Sequence, residues 1–246
     1  MSSFFLSDAH LGVSPAGAVP EREIHLAEFI KGLRGRATRL FIVGDLFEFW
    51  YEYDFYTPSA HFKILKNLAE LRESGCKITL LKGNHDFGFG NFFSEQLGIE
   101  TVDYCVEELE GRRVYVCHGD GLAGIDGSYR FLKKILNFRF NRFLFKWLHP
   151  DLGMRLALAV GSNSRDFNKK RIVPEEEYLE NARVLMRKNN CDTLVHGHNH
   201  TAGIWKVPEG LVINCGNYLF NENYLEIRQK ICYICDSLSA VPNSAC

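Results

Sequence analysis

Residues His196-Gly197-His198-Asn199-His200 put three imidazoles into five positions, directly after the apolar run Thr193-Leu194-Val195. Imidazole is the commonest metal-ligand side chain, and a strand end followed by glycine can aim two of them at one ion. A polar turn with incidental histidines is the competing reading. Further residues of ligand type favour the metal. Asp8 and His10 follow Phe4-Phe5-Leu6, and Gly44-Asp45 follows Leu40-Phe41-Ile42-Val43. Asn84-His85-Asp86 comes after Ile78-Thr79-Leu80-Leu81, and His118 after Val114-Tyr115-Val116. Asp8, His10, Asp45, Asn84, His118, His198 and His200 can make two adjacent sites, bridged by the two oxygens of Asp45. This mixed nitrogen and oxygen set suits Mn²⁺, Fe²⁺ or Zn²⁺ better than Ca²⁺ or Cu⁺. Two cations about 3.5–4 Å apart clamp a phosphoryl group, lower the pKa of a shared water and neutralise phosphate oxygens. Each motif alone is weak. The ordered set D-x-H, G-D, G-N-H-D, H-G-D, G-H-x-H is specific.

The elements that must position these residues are short. The apolar runs that precede them read as buried strands, so the ligands sit at strand carboxyl ends, where α/β sheets build sites. Residues 24–33 fit a helix with one apolar face, and residues 59–74 a second with Phe62, Leu65, Leu68, Ala69 and Leu71 inward. Residues 102–109 and 114–116 read as a hairpin across Glu110-Gly111-Arg112. The pattern is helical from residue 129 to about 187. Strands follow at 203–207, 211–215, 224–227 and 231–234. The expectation is one α/β sandwich domain over residues 1–238, with a helical lid inserted at about 122–171. Residues 239–246 are expected to be a flexible tail.

Composition narrows the setting. Of 246 residues, 46% are hydrophobic and 24% charged, with a net charge of −1, so no global electrostatic bias draws the chain to nucleic acid or membrane. No run of 18 apolar residues exists, and the first residues lack a basic segment, so neither a spanning helix nor a cleaved signal is expected. A cytoplasmic protein follows. The eight cysteines sit mostly in apolar strand-like contexts, as buried thiols of a reducing compartment do. Cys232 and Cys235 have CxxC spacing in a β-type run, where positions i and i+3 face opposite sides and share neither metal nor disulfide.

Asp8-Ala9-His10, Gly44-Asp45, Gly83-Asn84-His85-Asp86, His118 and Gly197-His198-Asn199-His200 resemble the five blocks of the calcineurin-like metallophosphoesterase superfamily. The resemblance implies a four-layer α/β/β/α sandwich and two divalent ions, Mn²⁺ before Fe²⁺ or Zn²⁺. It implies Asp8, His10, Asp45 and His200 on one ion, and Asp45, Asn84, His118 and His198 on the other. His85 is then the catalytic transition-state stabiliser or general acid, and Asp86 its orienter. Either His196 supports the ligands from its strand or it is structural.

Residues 44–50 (Gly-Asp-Leu-Phe-Glu-Phe-Trp), 118–122 (His-Gly-Asp-Gly-Leu), Asp126 with Tyr129, and Asn163-Ser164 are similar to one branch, the UDP-2,3-diacylglucosamine pyrophosphatases of the lipid A pathway. That similarity runs from Ser3 to about Asn217. It implies hydrolysis of a UDP-sugar lipid to UMP and 2,3-diacylglucosamine 1-phosphate by attack of a bridging hydroxide. The chain departs from the branch at His85, where those enzymes carry arginine, and in the loop Asn214–Tyr218. His85 keeps open the alternative of another phosphodiester or a nucleotide as substrate.

Between residues 130 and 171, eleven Lys and Arg stand against two Asp, a local charge of about +9. Phe, Leu, Ile and Trp interleave with them. A helical hairpin with a solvated basic side is the plain reading. The functional reading is a lid for an anionic lipid that rests peripherally on an anionic inner-membrane surface. Nucleic acid is not the expected partner, because the apolar residues are largely aliphatic and phenyl. Asp126, Tyr129, Asn163, Arg165 and Lys169 are the expected nucleotide and phosphate contacts, although Asn163 also fits a helix N-cap. The aromatic run from Phe47 to Tyr56 fits core packing or a cleft wall, and Glu48 fits either a surface residue or a partner of the ligands.

Overall fold

Alternation along short strands decides the layering. In β1 (Ser2–Leu6), Phe4 and Leu6 face one side and Phe5 the other. β2 (Ala37–Val43) sets Leu40 and Ile42 against Phe41 and Val43, and β3 (Lys77–Leu81) sets Ile78 and Leu80 against Leu81. These three strands run parallel. They read as near-continuous apolar runs because both their faces are covered.

The structure is a computed structural model and describes residues 2–12, 20–53, 56–57, 61–86, 88–122, 145–150, 152–153, 155–156, 174–236 and 242–245. α1 (Pro20–Gly32) and α2 (Phe62–Glu73) cover the first face, where Leu26, Ile30, Ile64 and Leu68 join Phe4, Leu6, Ile42 and Leu80. The remaining elements are a π-helical turn (Phe92–Gln96), β4 (Glu100–Val102), β5 (Tyr104–Leu109), β6 (Arg112–Cys117), α3 (Glu175–Asn189), β7 (Thr193–His196), β8 (Gly203–Val207), β9 (Gly210–Asn214), α4 (Tyr218–Asn221), β10 (Asn223–Arg228), β11 (Ile231–Asp236) and β12 (Pro242–Ala245). One sheet has the order β12-β11-β10-β1-β2-β3-β4, the other β5-β6-β7-β9-β8.

The two sheets meet through Phe5, Phe41, Leu81 and Ile227 on one side and Val114, Val116, Val195 and Ile213 on the other. The rings of Phe5 and Phe41 stack at 4.6 Å, both fully buried. Truncating such a ring to alanine costs about 3–5 kcal/mol. On the outer face of the second sheet, Tyr115, Leu194 and Val212 pack on Tyr178, Ala182 and Met186 of α3. The layers are therefore helix, sheet, sheet, helix, the four-layer sandwich expected.

Two expectations change. Residues 102–109 do not form one hairpin arm. Asp103 is exposed and separates β4, parallel to β3 in the first sheet, from β5, antiparallel to β6 in the second. Aspartate suits a strand poorly, so the chain switches sheets there. The segment expected as a flexible tail, 239–246, instead contributes β12, which pairs antiparallel with β11. Cys232 and Cys235 do face opposite sides of β11: Cys232 points between the sheets, and Cys235 points toward the α1 and α2 side. Both are free thiols. Among the described residues no helix is long and apolar enough to cross a membrane. Most of the expected lid, 123–144 and 157–171, lies outside the described residues.

Candidate metal centre

Because β1, β2 and β3 are parallel, and β6, β7 and β9 are parallel, their carboxyl ends gather at one rim. The loops beyond them carry all seven expected ligands. Five of these residues have left-handed backbones: Asp8 (φ 54°), His10 (43°), Asp45 (51°), His198 (72°) and His200 (60°). Such conformations cost of order 1–3 kcal/mol each and gather at functional sites. Main-chain hydrogen bonds hold them, from Asp8 N to Gly44 O at 3.2 Å, His10 N to Asp45 O at 3.0 Å and Leu11 N to Leu46 O at 3.0 Å.

The side chains converge in two groups. Asp8 Oδ1 lies 3.2 Å from His200 Nε2 and 3.8 Å from His10 Nε2. His118 Nε2 lies 2.9 Å from Asn84 Oδ1 and 3.2 Å from His198 Nδ1. Asp45 Oδ2 stands between the groups, 3.8 Å from His10 Nε2 and 3.3 Å from His118 Nε2. Its other oxygen, Oδ1, accepts the main-chain N–H of His85 at 2.8 Å. Oδ2 is thus the Asp45 oxygen that faces His10 and His118, while Oδ1 is turned to the main chain at His85.

The donor atoms fit divalent cations. Asp8 Oδ1 and His10 Nε2 are buried and have no hydrogen-bond partner. Buried polar atoms are normally satisfied, so orphaned ligand atoms facing one point are suited to an ion. His118 Nδ1 donates to Val43 O at 2.9 Å, which directs Nε2 toward Asp45 and Asn84.

Electrostatics agree. Burial opposes a charge on His10 and His118, yet the surrounding carboxylates overcome it and raise both to about 10. Burial likewise opposes ionisation of Asp8, but the neighbouring His10 and His200 hold its carboxyl well below the usual range. The cluster is a well for positive charge. His198 is depressed to about 4 by burial and by His118, so its imidazole is neutral at pH 7.

The supporting residues differ in part from expectation. Asp86 does not orient His85: its Oδ2 accepts from Gly83 N at 2.8 Å and Asp45 N at 2.9 Å. Burial and the nearby Asp45 charge raise it to about 7. It shapes the loop around Asp45. The His85 imidazole instead meets Glu48, with Nδ1 3.1 Å from the Glu48 carbonyl. His196 is fully enclosed. Its Nδ1 donates to Gly197 O at 2.9 Å and its Nε2 accepts from the Tyr178 hydroxyl of α3, a structural role.

Sequence reasoning missed the asparagines that brace the last loop. Asn214 donates to Asn199 Oδ1, and Asn217 donates to His200 O at 2.9 Å while its Oδ1 accepts from Phe220 N at 2.7 Å, capping α4. Asx residues just after an apolar run are the signal that could have found them. Asp126, Tyr129, Asn163, Arg165 and Lys169 lie outside the described residues. One described part of the insertion reaches the aromatic run after Asp45, where the Phe145 ring lies 4.7 Å from Tyr51 and 5.7 Å from Phe49.

A double-sheet sandwich whose strand ends hold this constellation defines a class of metal-dependent phosphoesterases. Residues 1–202 match the calcineurin-like phosphoesterase family, and the chain belongs to it. Within that class, the UDP-2,3-diacylglucosamine hydrolase of Aeromonas salmonicida (strain A449) is 34% identical over 208 residues, which cover 83% of this chain and 79% of that protein. The hydrolase of the same name from Neisseria meningitidis serogroup A is 30% identical over 203 residues, 80% of this chain and 82% of that one. The solved structure of Yfce, a phosphoesterase from E. coli, shares the fold with a TM-score of 0.52 at 14% identity, over 100% of this chain and 98% of that chain.

Proposed function

We propose that this chain hydrolyses the pyrophosphate of a UDP-2,3-diacylglucosamine to UMP and 2,3-diacylglucosamine 1-phosphate. The observation that carries the chemistry is Asp45 Oδ2, set between His10 Nε2 and His118 Nε2 at 3.8 and 3.3 Å. The named relatives at 30–34% identity support the substrate. Asp8, His10 and His200 would hold one divalent ion and Asn84, His118 and His198 the other, with Asp45 common to both. When bound, Mn²⁺, or Fe²⁺ or Zn²⁺ in its place, supplies Lewis acidity to the phosphate oxygens and lowers the pKa of water.

His85 completes the site. Its Nδ1–H is engaged by the Glu48 carbonyl, so Nε2 is the nitrogen left to meet a phosphoryl or leaving oxygen. Arg165 and Lys169 would bind phosphates, and Asp126, Tyr129 and Asn163 the nucleotide. The basic, apolar insertion suits acyl chains and a peripheral stay on an anionic membrane. Phe145, in the described part of the insertion, packs on Tyr51 of the aromatic run that follows Asp45.

The test is release of UMP from that lipid by purified protein with Mn²⁺. No turnover, beside good turnover of simple phosphodiesters, overturns the substrate. His85 favours a second reading, a phosphodiester or nucleotide without the lipid. Loss of every activity in His85→Arg supports that reading, and improved lipid hydrolysis supports the first.

A further inference from the structure

We propose that Glu48 is a positioning residue for the first ion, fixing the His10 ring through its carboxylate. Glu48 is 4% exposed, three residues past Asp45, in a place where a carboxylate needs charged or hydrogen-bonding partners. Its Oε2 lies 3.2 Å from His10 Nδ1. The opposite nitrogen, His10 Nε2, faces Asp8 and Asp45. His10 Nδ1 makes no aligned hydrogen bond, so the Glu48 carboxylate acts on it as an ion-pair partner, and a carboxylate on the far side of a ligating imidazole sets its direction and increases its basicity.

The same residue governs the neighbouring ring. Its carbonyl engages His85 Nδ1 at 3.1 Å, and its Oε1 stands 3.7 Å from that nitrogen. The His10 and His85 rings then meet edge to face, 4.8 Å apart. The backbone at Glu48 is itself tied to the first ligand loop, since its N–H donates to Leu11 O at 2.8 Å beside the Leu11–Phe47 bridge. One residue thus joins the loops after β1 and β2 and sets the ring on each side of it. This inference rests on the two-ion reading of the site and not on the identity of the substrate.

The experiment titrates metal-free full-length protein with Mn²⁺ alone, by calorimetry with ion counting, in wild type and Glu48→Gln. Two equivalents are expected in both. In Glu48→Gln one equivalent weakens by about ten- to hundredfold, the usual cost of losing such a partner, while the other keeps its affinity. A residue that only fills the core would lower Tm and weaken both equivalents alike. Glu48→Asp, which withdraws the carboxylate by one methylene, gives the same selective loss and serves if the glutamine variant does not fold. Unchanged affinity, or equal weakening of both equivalents, overturns the role of Glu48. Wild-type protein that binds no Mn²⁺ overturns the two-ion reading and this inference with it, whereas failure to cleave the UDP lipid overturns only the substrate.

Discussion

Asp8 Oδ2 accepts the main-chain N–H of His198 at 2.9 Å, so the first ligand in the chain holds the loop that carries the last two. Its other oxygen faces His200 Nε2 at 3.2 Å. On the two-ion reading, Asp8 would therefore serve both ions, one as a ligand and one through the loop. Asp8→Ala is expected to weaken both Mn²⁺ equivalents, whereas His200→Ala weakens one. Turnover in Asp8→Ala should fall by roughly 10²–10³, the scale of losing one preorganised electrostatic group. Ion counting on the two variants checks this, and equal patterns would remove the loop role.

The glycines beside the ligands are forced by crowding. A Cβ on Gly44 would stand 2.4 Å from His118 Nδ1, at φ 84°, and one on Gly83 would stand 2.1 Å from Asp45 Oδ1. Neither neighbour can retreat, because one is hydrogen-bonded to Val43 O and the other to His85 N. Gly44→Ala and Gly83→Ala should each lose Mn²⁺ binding and most activity, although neither removes a ligand. Retained binding of both equivalents in either variant would contradict this.

The convergence of the candidate ligands was legible in the sequence because each follows an apolar strand directly, and a parallel sheet sends such strand ends to one rim. The four layers were legible for the same reason. What was hidden depends on contacts between loops distant in sequence. Glu48 stands within the 44–50 motif, but the sequence left it between surface residue and partner of the ligands, and the choice follows from the Leu11–Phe47 bridge that lays one loop along another. Asp86 looks like an imidazole partner from its place next to His85, yet its side chain turns back to the amides of Gly83 and Asp45. The sheet switch at Asp103 was hidden because a run of strand-type residues on either side of it reads as one strand.

Asn217 should be worth more than its single position suggests. It caps α4 through Phe220 N and holds His200 O, with His200 in a left-handed conformation. Asn217→Ala removes a helix cap, at about 1 kcal/mol, and frees a strained ligand. A lower Tm together with weaker binding of one Mn²⁺ equivalent is expected. Calorimetry and thermal melting read the two effects separately, and a change in Tm alone would restrict Asn217 to capping.

His61 gives a pH dependence away from the ligands. It immediately precedes α2, its ring lies 4.7 Å from Phe47, and burial lowers its pKa to about 4. An unfolded histidine titrates near 6.5. The folded state thus binds fewer protons than the unfolded one between about pH 4 and 6.5, and stability rises with pH across that window. The contribution of neutral His61 is complete above pH 6.5 and is lost as pH falls toward 4. At 1.36 kcal/mol per pKa unit, that loss is at most about 3 kcal/mol. His61→Gln cannot titrate, so its metal-free form should lose less Tm than metal-free wild type between pH 7 and 4.5. Parallel melting curves for the two proteins across that range would show that His61 does not carry the acid sensitivity.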